Sequence, residues 1–167
     1  IFDGQFYLIN TNAANTAIAW TFGGLTDSYY CCIATALRGV ETRSFHGGVY
    51  EFRYNAFLLS FGDCFDWGCN GSRIIVADPV TNTGERMRFL NVTFGTGTSY
   101  VMDINTVHSM SFDFQSCSAD YTLGLNKPSN SAPLVKVNWL GGHLEWDTVA
   151  NAYLQNDGAA EWNVDGA

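Results

Sequence analysis

Residues 107–115 read Val-His-Ser-Met-Ser-Phe-Asp-Phe-Gln. His108, Met110, Phe112 and Phe114 fall on one side of an extended chain, and Ser109, Ser111, Asp113 and Gln115 fall on the other. Successive side chains of a strand point to opposite faces, so this alternation marks a strand with one buried face. Residues 49–55 alternate in the same way, with Tyr50, Phe52 and Tyr54 opposing Glu51, Arg53 and Asn55. After Asn55 the phase slips by one, and it slips again where Met87 and Phe89 give way to Leu90, Val92 and Phe94. A one-residue slip predicts a β-bulge.

Further strands are expected at 5–10, 17–22, 28–36, 73–77, 99–105, 134–140 and 143–150. Turn clusters separate them: Gly23-Gly24, Gly47-Gly48, Asp78-Pro79, Asn82-Thr83-Gly84, Gly95-Thr96-Gly97 and Gly141-Gly142. The Gly95–Thr98 run reads as a hairpin turn, since it lacks the lysine and following helix of a phosphate loop. No amphipathic helix, internal repeat or linker stands out. About eight to ten short strands at this spacing predict an all-β chain. The expected architecture is a two-sheet antiparallel β-sandwich of jelly-roll type over 1–150, with 151–167 as a tail that packs on the domain or on a neighbouring copy.

The composition agrees with that class. Of 167 residues, 47% are hydrophobic and 14% charged, against roughly 25% charged in an ordinary soluble domain. Asn, Thr and Ser fill the difference, so the surface is wetted by amides and hydroxyls. Such hydrophobicity excludes intrinsic disorder, and the scarcity of Lys and Glu excludes a coiled coil. A net charge of −8 with a pI near 4.5 argues against nucleic acid, whose affinity rests on clustered Lys and Arg. No stretch resembles a membrane span.

The chain begins at Ile1 rather than Met, and sequons stand at Asn70-Gly71-Ser72 and Asn91-Val92-Thr93. Together these predict a secreted, extracellular protein glycosylated at Asn70 and Asn91. Among five cysteines, Cys64 and Cys69 are spaced for a disulfide closing a surface loop, and Cys117 is expected to bridge to Cys31 or Cys32. One thiol is left over, buried or paired between molecules.

Aromatic residues make up 15% of the chain. Trp67 lies in the supposed disulfide-pinned loop, where a large exposed aromatic signals binding. With Asp66, Arg53, Tyr54 and Tyr100 it forms the expected ligand surface, aromatic faces stacking on sugar rings while polar groups bind hydroxyls. Trp20, Trp139 and Trp146 read as core. In Gly141-Gly142-His143-Leu144-Glu145-Trp146-Asp147 the residues His143, Glu145 and Asp147 share one strand face, a set of donors whose oxygens favour calcium. A glycosidase would need paired carboxylates, and Glu51 with Asp113 is the pair considered. No nucleophile elbow is present.

Several segments resemble the galactose-binding-like jelly rolls, a group that includes carbohydrate-binding modules and MAM-type adhesion domains. Asp3-Gly4-Gln5-Phe6-Tyr7 followed by Trp20 is similar to their opening motif, with Tyr7 where they carry Glu. "GGVYEFRYNAFLLSF" (47–61), "SRIIVADPV" (72–80), "HSMSFDFQS" (108–116) and "GGHLEWDTV" (141–149) resemble later strands. The resemblance implies a structural calcium ion held near the first and last strands by Asp3, Glu145 and Asp147. The expected function is a non-catalytic extracellular glycan-binding or adhesion module. Alternatives are a self-assembling filament or coat subunit, joined through the spare cysteine or the tail, and a glycan-cleaving enzyme.

Overall fold

A computed structural model of the chain describes residues 5–12, 14–26, 32–33, 36–76, 83, 85–97, 99–104, 109–122, 124–126, 135–146 and 161–166. The described residues form strands and no helix. The first coil holds β1 (Phe6–Ile9), β2 (Ile18–Phe22), β3 (Cys32–Ile33) and β4 (Ala36–Arg38). The second holds β5 (Val40–Arg43), β6 (Gly48–Phe52), β7 (Ala56–Phe57) and β8 (Ser60–Gly62). Next come β9 (Phe65–Trp67), β10 (Ile74–Val76), β11 (Met87–Leu90), β12 (Thr93–Phe94) and β13 (Tyr100–Ile104). The last are β14 (Met110–Thr122), β15 (Gly124–Asn126), β16 (Val135–Trp146) and β17 (Glu161–Asp165).

Every paired strand runs parallel to its neighbour, and each strand pairs with its counterpart one coil later. The molecule is therefore a β-solenoid with three walls. Wall A stacks β4, β8, β11, the first halves of β14 and β16, and β17. Wall B stacks β1, β5, β9, β12 and the second halves of β14 and β16. Wall C stacks β2, β6, β10, β13 and β15.

This overturns the antiparallel jelly roll and the galactose-binding-like resemblance. Alternation reports which face of a strand is buried, but it carries no information on the direction of the neighbouring strand. Gly95–Gly97 is likewise no hairpin: it joins wall B to wall C within one coil. The phase slips are corners rather than bulges. Gly39, Asp63, Asn91, Ser116, Gly141 and Gly166 all have φ between 51° and 66°. One such residue stands between wall A and wall B in each coil, turning the chain through a left-handed conformation.

An internal repeat is also present. Leu37, Phe61, Phe89, Phe114, Trp139 and Val164 are register partners in succession, at intervals of 24, 28, 25, 25 and 25 residues. Only apolar bulk recurs at this position, and coil length varies, so no fixed motif betrays the period.

That column forms the centre of the core. Parallel strands lie about 4.8 Å apart, which is close to the stacking distance of aromatic rings. Phe61 and Phe89 accordingly stack with centroids 4.7 Å apart and planes at 12°. Phe89–Phe114 (5.0 Å, 14°) and Phe114–Trp139 (4.7 Å, 23°) continue the ladder. Each pair adds roughly 0.5–1.5 kcal/mol beyond area burial. Trp139 is core as expected; Trp20 is half-buried, its Nε1 donating to Thr42 Oγ1 at 3.2 Å, and the Trp146 side chain lies outside the described residues.

Wall B is lined differently. Val40, Cys64, Val92 and Cys117 occupy one inward column, with Thr42, Asp66, Phe94 and Ala119 in the next. Cys64, Cys69 and Cys117 are free, buried thiols, so the expected Cys64–Cys69 disulfide is absent and Cys117 is not bridged. The physical reason is that strand β9 lies between Cys64 and Cys69. Five extended residues span roughly 16 Å, whereas a disulfide needs Cα atoms within about 7 Å. Cys64 and Cys117 donate instead to carbonyls, Gly62 O at 3.2 Å and Phe89 O at 3.4 Å. Cys31 and the Cys32 side chain, the expected partners of Cys117, lie outside the described residues.

Candidate functional site

Wall B presents two outward columns, because alternate residues of each strand face solvent. One runs Tyr7, Glu41, Phe65, Thr93, Ser118, His143. The other holds Ile9, Arg43 and Trp67, passes Gly95, and ends on Asp120 and Glu145. Large aromatic groups flank the Glu41–Arg43 pair at one end of the face, small residues stand in the middle, and a His–carboxylate cluster stands at the other end.

At the aromatic end Trp67 is 49% exposed and lies on strand β9, not on a loop. Its ring stacks on Phe65, two residues back on the same face, with centroids 5.8 Å apart and planes at 24°. Gly95 leaves the space beside it: a Cβ there would come within 3.1 Å of Trp67 Cε3 and 2.2 Å of Asp66 O. Tyr7 and Ile9 are exposed one coil beyond the Glu41–Arg43 ion pair, whose Nε–Oε1 distance is 2.5 Å. A groove of about 310 Å³ runs beside these residues at the corner with wall A, lined by Phe6, Tyr7, Glu41, Asp63 and Phe65.

Asp66 does not belong to that surface. Its neighbours on the strand face outward, so it faces inward and is fully buried against Arg73, with Nε to Oδ1 at 2.8 Å. The Arg73 guanidinium also donates to the carbonyls of Cys69, Gly71 and Gly95. It thus ties together the loops between walls B and C in two successive coils. Desolvation pushes the Asp66 carboxyl up to about 6, with the Arg73 charge opposing the shift. Asp66 Oδ2 is buried without a hydrogen-bond partner.

The remaining expected ligand residues are dispersed. Tyr100 opens β13 on wall C. Arg53 and Tyr54 follow β6 at the far end of that wall, and Arg53 Nε donates to Glu51 Oε2 at 2.8 Å. Glu51 and Asp113 stand on walls C and A, so no cleft joins them. Asn70 and Asn91 are both exposed, and Asn91 Nδ2 donates to Asp63 Oδ1 at 2.8 Å along the corner.

At the titratable end, Asp120 on β14 is the register partner of Glu145 on β16. His143 precedes Glu145 by two residues and shares its face. One donor atom from each of Asp120, His143 and Glu145 lies within 4.8 Å of the others. Desolvation raises the Asp120 carboxyl above the usual range, His143 opposing and Glu145 reinforcing. Asp3 and Asp147, expected as calcium ligands with Glu145, lie outside the described residues. Sequence reasoning missed Asp120, because only the register of β14 on β16 brings it to Glu145.

Wall A carries a second groove, about 410 Å³, lined by Ser60, Arg88, Asp113, Gln115, Asn138 and Leu140. Asn138 Nδ2 donates to Asp113 Oδ1 at 2.7 Å between its coils. Among the described residues no helix is long and apolar enough to cross a membrane. No family model, curated protein or solved structure matches this chain.

Proposed function

We propose that this chain is a non-catalytic extracellular module that binds a glycan along the outer face of wall B. The observation that carries the reading is Trp67, half exposed and stacked on Phe65. A ring stacked in this way offers a platform for the apolar face of a sugar without a further loss of rotamer freedom on binding. The Glu41–Arg43 pair lies one coil from it and Tyr7 two coils away on the same face, supplying hydrogen-bonding groups to the hydroxyls of an extended sugar chain. Extracellular placement is supported by the two sequons, whose asparagines are accessible.

A glycan array followed by titration of Trp67→Ala tests the reading. The variant is expected to lose about tenfold or more in affinity, since stacking contacts of this kind are worth on the order of 1–2 kcal/mol. An array without hits, or hits indifferent to Trp67→Ala, removes the proposal.

A second reading, end-to-end assembly of copies, is favoured by β17. It pairs with β16 on one side, and no described residue pairs with its other edge, where Val164 is 37% exposed. Open edges of parallel strands template further pairing. A monodisperse monomer by light scattering at high concentration would rule this out.

A further inference from the structure

Asp120, His143 and Glu145 project from wall B on two adjacent coils, with Asp120 two coils beyond Trp67 in the same outward column and Gly95 between them. Three features set them apart from an ordinary polar edge. The donor set mixes an imidazole with two carboxylates, whose oxygens and nitrogen converge within 4.8 Å. The groups are not hydrogen-bonded to one another: His143 Nε2 stands 3.7 Å from Glu145 Oε2, an ion-pair contact when the imidazole is protonated but longer than a hydrogen bond. Asp120 Oδ1 is wholly buried with no hydrogen-bond partner, although its residue sits at the surface. A buried, unpaired carboxylate oxygen next to a second carboxylate is costly unless a cation balances both.

We propose that these three residues bind one zinc-like divalent ion. Tetrahedral zinc holds nitrogen and oxygen ligands at about 2.0–2.2 Å, so its donor atoms lie roughly 3.3 Å apart. Side-chain rotation closes the observed spacing without moving the ladder, because Asp120 and Glu145 are already register partners. The imidazole selects zinc, cobalt or nickel over calcium, which prefers six to eight oxygens. Three protein ligands leave at least one coordination position open to water or to a ligand on the wall. The ion joins β14 to β16, so it binds the folded chain and raises its melting temperature.

Isothermal titration with zinc chloride, in buffer free of chelators, tests this on the full chain. One ion per chain is expected, with a rise in Tm, no displacement by excess calcium, and affinity reduced by about tenfold or more in both His143→Ala and Asp120→Asn. His143 is largely exposed, so His143→Ala is expected to keep the metal-free Tm of the parent, which the same thermal scans check. Cobalt substitution adds a spectroscopic readout, weak visible bands without thiolate charge transfer. Absence of stoichiometric binding, binding unchanged in both variants, or a thiolate band that places the ion on cysteine would each overturn the proposal. None of these readouts involves a glycan, so the outcome is independent of the Trp67 experiment.

Discussion

Walls A and B enclose the same interior and share the long strands β14 and β16, yet they are lined by different chemistry. Inside wall A the column from Leu37 to Trp139 is apolar at every coil, and its rings stack at the spacing of the strands. Inside wall B the columns hold thiols, a threonine and a buried carboxylate joined to Arg73. The outer faces differ as well: wall B carries the exposed aromatics and the His–carboxylate cluster. The comparison teaches that one wall supplies cohesion while the other carries polar groups that cohesion alone would not select.

The largest test of that division lies within one strand. Phe114→Ala removes a ring stacked on both sides, and about 3–5 kcal/mol of stability is expected to go with it. Cys117→Ala, three residues on and inside wall B, is expected to cost only about 1 kcal/mol. Urea denaturation of the two variants measures both, and equal losses would break the distinction between the walls.

The buried acid predicts a pH effect of about 3 kcal/mol. The Asp66 carboxyl moves from the ordinary aspartate value of 3.8 to about 6 because burial favours the neutral form. The folded state then binds a proton more tightly than the unfolded state. This contribution is present in full below about pH 4 and is lost as pH rises through 6, at about 1.4 kcal/mol per pH unit. The stability difference between the parent and Asp66→Asn, followed from pH 4 to 7, is expected to fall by about 2 kcal/mol. A difference that is flat, or that grows with pH, would mean the Arg73 charge dominates burial.

The corner joining the two walls sharpens the comparison at the backbone. Gly141 has φ of 66° and a Cβ added to it would meet nothing within 4 Å, so Gly141→Ala isolates conformational strain. It is expected to cost about 1 kcal/mol, and Ser116→Gly at the same corner one coil earlier is expected to gain up to about that much. Thermal melts read both, and a stabilising Gly141→Ala or a destabilising Ser116→Gly would show that the corner residues are chosen for contacts rather than for φ.

The smallest effect is expected from redox. Cys64, Cys69 and Cys117 are buried thiols whose ionisation desolvation pushes up. Alkylation mapped by mass spectrometry is expected to leave all three unmodified until the chain unfolds. Fast labelling of Cys64 or Cys69 in the native state would show that wall B opens.

Several features were legible because they are local. Over 109–115 the alternation holds as read, with Met110, Phe112 and Phe114 buried and Ser109 and Gln115 exposed, while Val107 and His108 lie outside the described residues. The slips after Asn55 and around Leu90 were real changes of phase, and residues with positive φ stand at Asn55 and Asn91. Their meaning was not legible, because a bulge and a corner leave the same mark on a hydrophobic pattern. The repeat was hidden for a related reason. Position 28 residues after Phe61 and 25 after Phe89 are equivalent only because insertions fall at corners, outside the core column.

The sequence by itself determined an all-β chain, through alternation and turn residues that act over two to four positions. It also singled out Trp67 and the His143–Glu145 face, since side chains two apart on a strand must share a side. Only the tertiary structure decided that neighbours run parallel, that Asp66 faces Arg73 in the interior, and that Asp120 rather than a residue of its own strand stands beside Glu145. Those facts depend on which coil stacks on which, and register is set by the summed packing of the interior rather than by any short stretch of chain.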